Sequence, residues 1–181
     1  MDLYPKLTLT LLNGFLLTIP MLGSRFGIPA LLRKEALQEL DYFPPVAGFE
    51  QYALKAYFIT NTFLVFSPIA ARIQSGTLWT SLGWIIYLVG LTLFIISIIH
   101  YCKTPGLKQT GLYRISRNPM VIGYFMIYLG ISFVIGSWFN LLLTILYQIA
   151  VHWLILSEER WCTDKFGLPY QQYLQTVRRY L

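Results

Sequence analysis

The 181 residues are 56% apolar and only 12% charged, where a soluble domain is roughly 25% charged. So few charges leave too little polar surface to cover a core in water, and a bilayer is the solvent that suits this balance. The net charge is +6, but the basic residues lie scattered between apolar runs and form no stripe that tracks nucleic acid, so no nucleic-acid partner is expected.

A spanning helix needs ~20 mostly apolar residues, and five runs approach this: Leu7–Leu22, Ala53–Ala71, Leu78–Tyr101, Met120–Gly136 and Trp138–Ser157. The first begins soon after Asp2 and lacks both the basic flank and the small-residue cleavage site of a signal peptide, so a retained helix ending near Pro20 is expected. The second is weakened by Lys55, Asn61 and Pro68; the third is the strongest. Residues 29–40 carry leucines at helical spacing with charges between them, which suits a short interfacial helix or an ordinary amphipathic linker. The runs are too long for barrel strands and do not alternate, so a single all-α, multi-pass bundle over residues 1–181 is expected, with about five transmembrane helices. Gly136-Ser137-Trp138 leaves so short a turn that the last two helices must be antiparallel neighbours.

Lysine and arginine set the orientation. Arg25, Arg33 and Lys34 follow the first run, Lys103, Lys108, Arg114 and Arg117 follow the third, and Arg160, Lys165, Arg178 and Arg179 follow the fifth; Lys55 lies at the same end of the second run. Only Lys6 and Arg72 fall on the opposite side. The N-terminus is therefore expected outside and the C-terminus in the cytoplasm. Cys102 and Cys162 then face a reducing compartment as free thiols, and no CxxC or His/Cys cluster suggests a metal site.

Two segments on the inner side carry chemistry. In the first, Gly111 to Gly123, Pro119 is placed to begin a helix where its missing N–H costs nothing. The free N–H groups of that first turn form a weak anion site, and Arg114 and Arg117 add positive charge. The plainer reading is a basic inner loop followed by a helix start. In the second, Ser157-Glu158-Glu159-Arg160, paired acids at the end of a helix oppose its dipole. Either a cationic or hydroxyl-rich ligand or salt bridges to Arg114 or Arg117 would compensate them. On the same helix Thr144, Gln148, His152 and Glu159 fall within one narrow arc. Polar groups inside a membrane usually face the bundle interior, so this stripe is expected to border a cavity, with His152 as a possible base. Beyond the acids the aromatic tail is expected to fold back as a helix under the membrane, with one helical stretch ending at Phe166-Gly167.

Taken together, the two segments resemble the membrane methyltransferase superfamily of isoprenylcysteine carboxyl methyltransferases and phospholipid N-methyltransferases. The resemblance rests on Gly111, Tyr113, Arg117, Asn118, Pro119, Met120 and Gly123, and on Glu158, Glu159, Phe166, Gly167, Tyr170, Tyr173 and Arg178. It covers residues from about Pro105 onward, so residues 105–181 are expected to form the cofactor-binding half. It implies S-adenosylmethionine as cofactor and a lipidic or lipidated acceptor, carboxyl or amine, reached from membrane lipids. By the same resemblance Asn118, Pro119 and Met120 contact the cofactor with Tyr113 and Arg117 nearby, and Glu158 and Glu159 hold its ribose or amino group. Asn118 stands where many members have histidine, which is similar to the phospholipid-methylating branch. Val121 replaces a tyrosine, and Leu154 stands where the carboxyl methyltransferases carry an arginine. Two other readings share these features: an NADPH-dependent membrane reductase of the sterol reductase type, whose tails resemble Cys162, Lys165-Phe166-Gly167 and the final Arg-Tyr here, and a lipid-binding membrane protein without turnover.

Overall fold

A computed structural model of the chain describes residues 1–4 and 14–181. Among these residues it is all-helical, with seven α-helices and one 3₁₀ turn. They run α1 (Phe15–Leu32), α2 (Glu35–Asp41), α3 (Glu50–Ala70), α4 (Leu78–Lys103), the 3₁₀ turn (Gly111–Arg114), α5 (Pro119–Val134), α6 (Trp138–Phe166) and α7 (Leu168–Thr176). By length and composition α1, α4 and α6 can each cross a membrane; α5 is apolar but shorter.

The five longer helices alternate in direction. Gly14, just before α1, donates its N–H to the carbonyl of Ala71 after α3. Gln74, ahead of α4, bonds Val134 at the end of α5, and the N-terminal Asp2 pairs with Gly136 and Trp138 in the α5–α6 turn. All these ends share one side of the bundle. At the other side Arg33, after α1, reaches the carbonyl of Cys102 near the end of α4.

The expected first helix, Leu7–Leu22, falls partly outside the described residues, and within them it is corrected. The helix runs through Pro20 and continues to Leu32, because a helix inside a bundle tolerates the bond that proline removes. Arg25 therefore sits on a helix and not in a loop. The expected interfacial stretch 29–40 is split at Arg33: its first residues finish α1, and α2 begins at Glu35.

Helices α4 and α5 pack through glycine. A Cβ on Gly83 would meet Phe133 Cβ at 2.8 Å, one on Gly90 Met126 Cβ at 2.6 Å, and one on Gly123 the Phe94 backbone at 2.9 Å. Gly130 faces the Tyr87 backbone at 2.6 Å. Small residues let helix backbones approach in lipid, where burial of apolar surface alone drives no association. This contact carries the start of α5 to the end of α4. Across the bundle α6 leans on α3 through Tyr57 and Tyr147 (ring centres 5.6 Å apart), through Ser67 and Asn140 (2.9 Å), and through Glu50 and Arg160 (2.7 Å).

Helix α6 corrects a second expectation. It does not end at Ser157 but continues through both acids to Phe166, where Gly167 at φ 61° closes it. Glu158 and Glu159 are thus interior to the helix, two turns short of its end, and the dipole argument for a compensating ligand does not apply to them.

Candidate functional site

The site is assembled where α4, α5 and α6 end on the side away from the α5–α6 turn. Gly111 has φ 60° and lies against the His100 ring, where any side chain would collide. His100 Nδ1 accepts the N–H of Leu112 at 3.2 Å, which fixes the 3₁₀ turn on α4. That turn buries Tyr113, whose carbonyl accepts the Tyr173 hydroxyl from α7. Burial holds the Tyr113 phenol well above its usual range and pushes Tyr173 up to about 12, so both stay neutral hydrogen-bonding groups.

The chain after α7 then returns over the loop that precedes α5. The Arg117 N–H donates to the Arg178 carbonyl (2.9 Å), and the Asn118 amide donates to that of Arg179 (3.1 Å). Arg117 Nη1 reaches the carbonyls of Leu174 (2.9 Å) and Val177 (2.8 Å), while Nη2 binds Glu159 at 2.8 Å. Arg179 holds Glu159 from the other side through two bonds of 3.0 and 2.7 Å. The salt-bridge reading of the acidic pair is therefore met for Glu159 with Arg117, and Arg179 is a partner that spacing did not reveal.

Glu158 behaves differently. It faces a cavity of about 570 Å³ and has no hydrogen-bond or ion-pair partner among the described residues. That volume is within the range of small-ligand sites. Tyr113, Arg117, Asn118, Met120 and Glu159 line the same cavity. Pro119 is buried at the first position of α5 and does not line it, but it starts the helix so that Met120 and Val121 do. Asn118 makes no side-chain cap on α5; its own N–H donates to Ser116 Oγ and Pro119 has none, which leaves only the N–H groups of Met120 and Val121 in that turn without a helix partner.

His152 is not on the cavity wall. Its Nδ1 pairs with the Tyr180 hydroxyl at 3.0 Å, on the face of α6 covered by the returning tail. Thr144 bonds Asn140 and Ser132 deep in the bundle. The polar stripe thus faces two different neighbours, and the cavity takes the adjacent face of α6: Tyr147, Val151, Leu154 and Glu158.

The remaining wall draws on residues scattered from α2 to α5. Tyr42 and Phe43 after α2, Tyr57 on α3, Tyr101 on α4 and Tyr124 on α5 make it strongly aromatic. Thirteen tyrosines in one chain were the available signal. Glu39 on α2 fastens this wall to the loop after α4, accepting from Arg33 at 2.6 and 2.8 Å and from Lys108 at 3.1 Å. The Arg33 hydrogen bonds, aided by Lys108, hold the Glu39 carboxyl down at about 2. Burial lowers Lys108 somewhat, against the pull of Glu39.

Apolar helices joined by glycine contacts, with a partly polar cavity at one end of the bundle, define a helical membrane protein. The family model for phospholipid methyltransferase matches residues 75–168, more than half of the chain, and the chain belongs to that family, within the membrane methyltransferase superfamily that also holds the isoprenylcysteine carboxyl methyltransferases. The match starts earlier than Pro105 and takes in all of α4; it ends before Tyr170, Tyr173 and Arg178. No curated protein and no solved structure matches the chain.

Proposed function

We propose that the protein transfers a methyl group from S-adenosylmethionine to the amine or carboxyl group of a lipidic acceptor. The observation that carries this reading is Glu158: a carboxylate without a partner among the described residues, facing a cavity that Met120 and Val121 in the first turn of α5 also line. A carboxylate accepts from ribose hydroxyls or an ammonium, and helix-start N–H groups receive a carboxylate, so the two walls suit the two ends of an amino-acid nucleoside. Tyr113, Asn118 and Met120 complete that wall, Pro119 sets the start of α5, and Arg117 and Glu159 keep the loop in place through the tail.

S-adenosylmethionine supplies a methyl group on a sulfonium, so the acceptor's lone pair bonds the methyl carbon while the carbon–sulfur bond breaks and its electrons stay on sulfur. The protein's task is to align the acceptor and exclude water. An ionised carboxyl acceptor needs no base. An amine must lose a proton, and Glu158 is the unpaired acid on the wall able to take it; His152 packs elsewhere. The five alternating helices, with lysine and arginine gathered at the cavity's end, support five membrane crossings with the N-terminus outside and the cavity facing the cytoplasm.

Isothermal titration of the full chain in detergent tests this reading. S-adenosylmethionine binds and reduced dinucleotide does not; the reverse result would favour the reductase, and binding of neither would favour a protein without turnover. Glu158→Ala weakens the cofactor roughly 10- to 100-fold, the range of a hydrogen bond to a charged group. An unchanged affinity removes Glu158 from the site.

A further inference from the structure

The bundle holds its tyrosines in two ways. Tyr87 donates its hydroxyl to the Leu17 carbonyl and Tyr128 donates to Asn61 Oδ1, each at 2.8 Å. Neither lines the cavity. Tyr57 on α3 and Tyr147 on α6 do line it, with ring centres 5.6 Å apart, and neither hydroxyl has a hydrogen-bond partner among the described residues. Nor are these hydroxyls sealed: the unpartnered side-chain atoms closed off from any ligand belong to Arg25, Arg117 and Gln148. A phenol inside a bundle ordinarily finds a partner. Two that open together on one cavity are donors with room for an acceptor.

Their place narrows what that acceptor atom is. Tyr147 stands eleven residues before Glu158 on α6, three turns along the same face and about 16 Å deeper in the bundle. Between them the helix offers the cavity only apolar side chains near that face, Val151, Leu154 and Ile155. The charged residues lining the cavity sit on α2, in the loops after α4 and before α5, and in the last turns of α6. An anion beside the two phenols would therefore be buried with no cation on the cavity wall to answer it, which is costly. A neutral carbonyl oxygen carries no such cost and accepts from both.

We propose that Tyr57 and Tyr147 are a specificity-determining pair for the lipidic molecule, their hydroxyls donating to a neutral carbonyl oxygen, ester or amide, behind its reactive end. This rests on the cavity being the acceptor's site. The reactive end then points past Val151 and Leu154 toward Glu158 and Asn118. A site built to donate hydrogen bonds discriminates against an analogue that lacks the receiving oxygen.

The full chain in detergent is titrated calorimetrically with three probes: dihexanoyl phosphatidylethanolamine; dihexyl phosphatidylethanolamine, the ether analogue without carbonyls; and N-acetyl-S-farnesylcysteine, whose neutral carbonyl is an amide. Tyr57→Phe and Tyr147→Phe keep both rings, so packing survives. Each weakens the diester roughly three- to tenfold, the range of one hydrogen bond, and leaves the diether and S-adenosylmethionine unchanged. Loss confined to the farnesylcysteine assigns the oxygen to an amide, and loss for both carbonyl probes assigns it to either. Equal loss for diester and diether, no loss for any probe, weaker S-adenosylmethionine binding in both variants, or no binding of any probe to the native chain overturns the proposal. If the native chain binds the lipid probes but not S-adenosylmethionine, the methyltransferase reading falls while the diester–diether comparison still reports on the tyrosine pair.

Discussion

The two ends of α6 treat their polar groups in opposite ways. Near its start, Asn140 is fully buried; its amide donates to Ser67 and its N–H to Ser137, while Thr144 bonds Asn140 and Ser132. Near its finish, Glu159 is enclosed by two arginines, yet Glu158 beside it is exposed and opens on the cavity. A buried polar group with all its bonds made within the protein holds the fold. One left free in a cavity is available to something else.

Substitutions at these groups and their partners sharpen that contrast. The largest effect is expected from Arg117→Ala, which removes two side-chain bonds to the tail and one arginine from Glu159; breaking such a mostly buried pair costs about 3–5 kcal/mol in thermal or denaturant unfolding. Next, Glu158→Ala leaves the unfolding midpoint within about 0.5 kcal/mol of the native chain while cofactor binding falls. A matching loss of stability would make Glu158 structural, like its neighbour. Asn140→Ala should do the opposite: about 1–2 kcal/mol less stable by the same measurement, because Ser67 loses its partner, with S-adenosylmethionine affinity unchanged.

The smallest effect lies on the opposite wall. The folded Glu39 value of about 2 is below its ordinary 4.5, so its clamp contributes fully above about pH 4.5 and is lost as pH falls through about 2. At 37% exposure solvent screens it, and its worth is under ~1 kcal/mol. Hydrogen exchange of the α2 amides should therefore quicken at low pH in the native chain and already be quick at neutral pH in Glu39→Gln.

How legible this was differs by residue. The Tyr113 to Met120 segment and Glu158 could be read because each motif is contiguous, and the helix hairpin brings them together. The end of α6 could not be read from hydropathy: the apolar run stops at Ser157, where charge begins, but a helix continues as long as its backbone bonds do, and only Gly167 marks the finish. His152 shares an arc with Glu159 by arithmetic, yet periodicity does not say which neighbour covers an arc, and the tail covers this one. The aromatic wall was invisible because Tyr42, Tyr57, Tyr101 and Tyr124 come from distant positions. The glycines at 83, 90, 123 and 130 were a readable signal: within each helix they recur at a spacing of seven, which keeps them on one face.

Those glycines also divide the cavity by mobility. Where backbone meets backbone at Gly90 and Gly130, no side chain can rotate to let α4 and α5 slide, so the wall carrying Asn118 and Met120 moves as one body. Tyr42 and Phe43 of the opposite wall follow α2, which Glu39 fastens through side chains near the surface, bonds that open and reclose singly. Loosening Glu39 is therefore expected to free the α2 side of the cavity while the glycine-packed pair stays fixed.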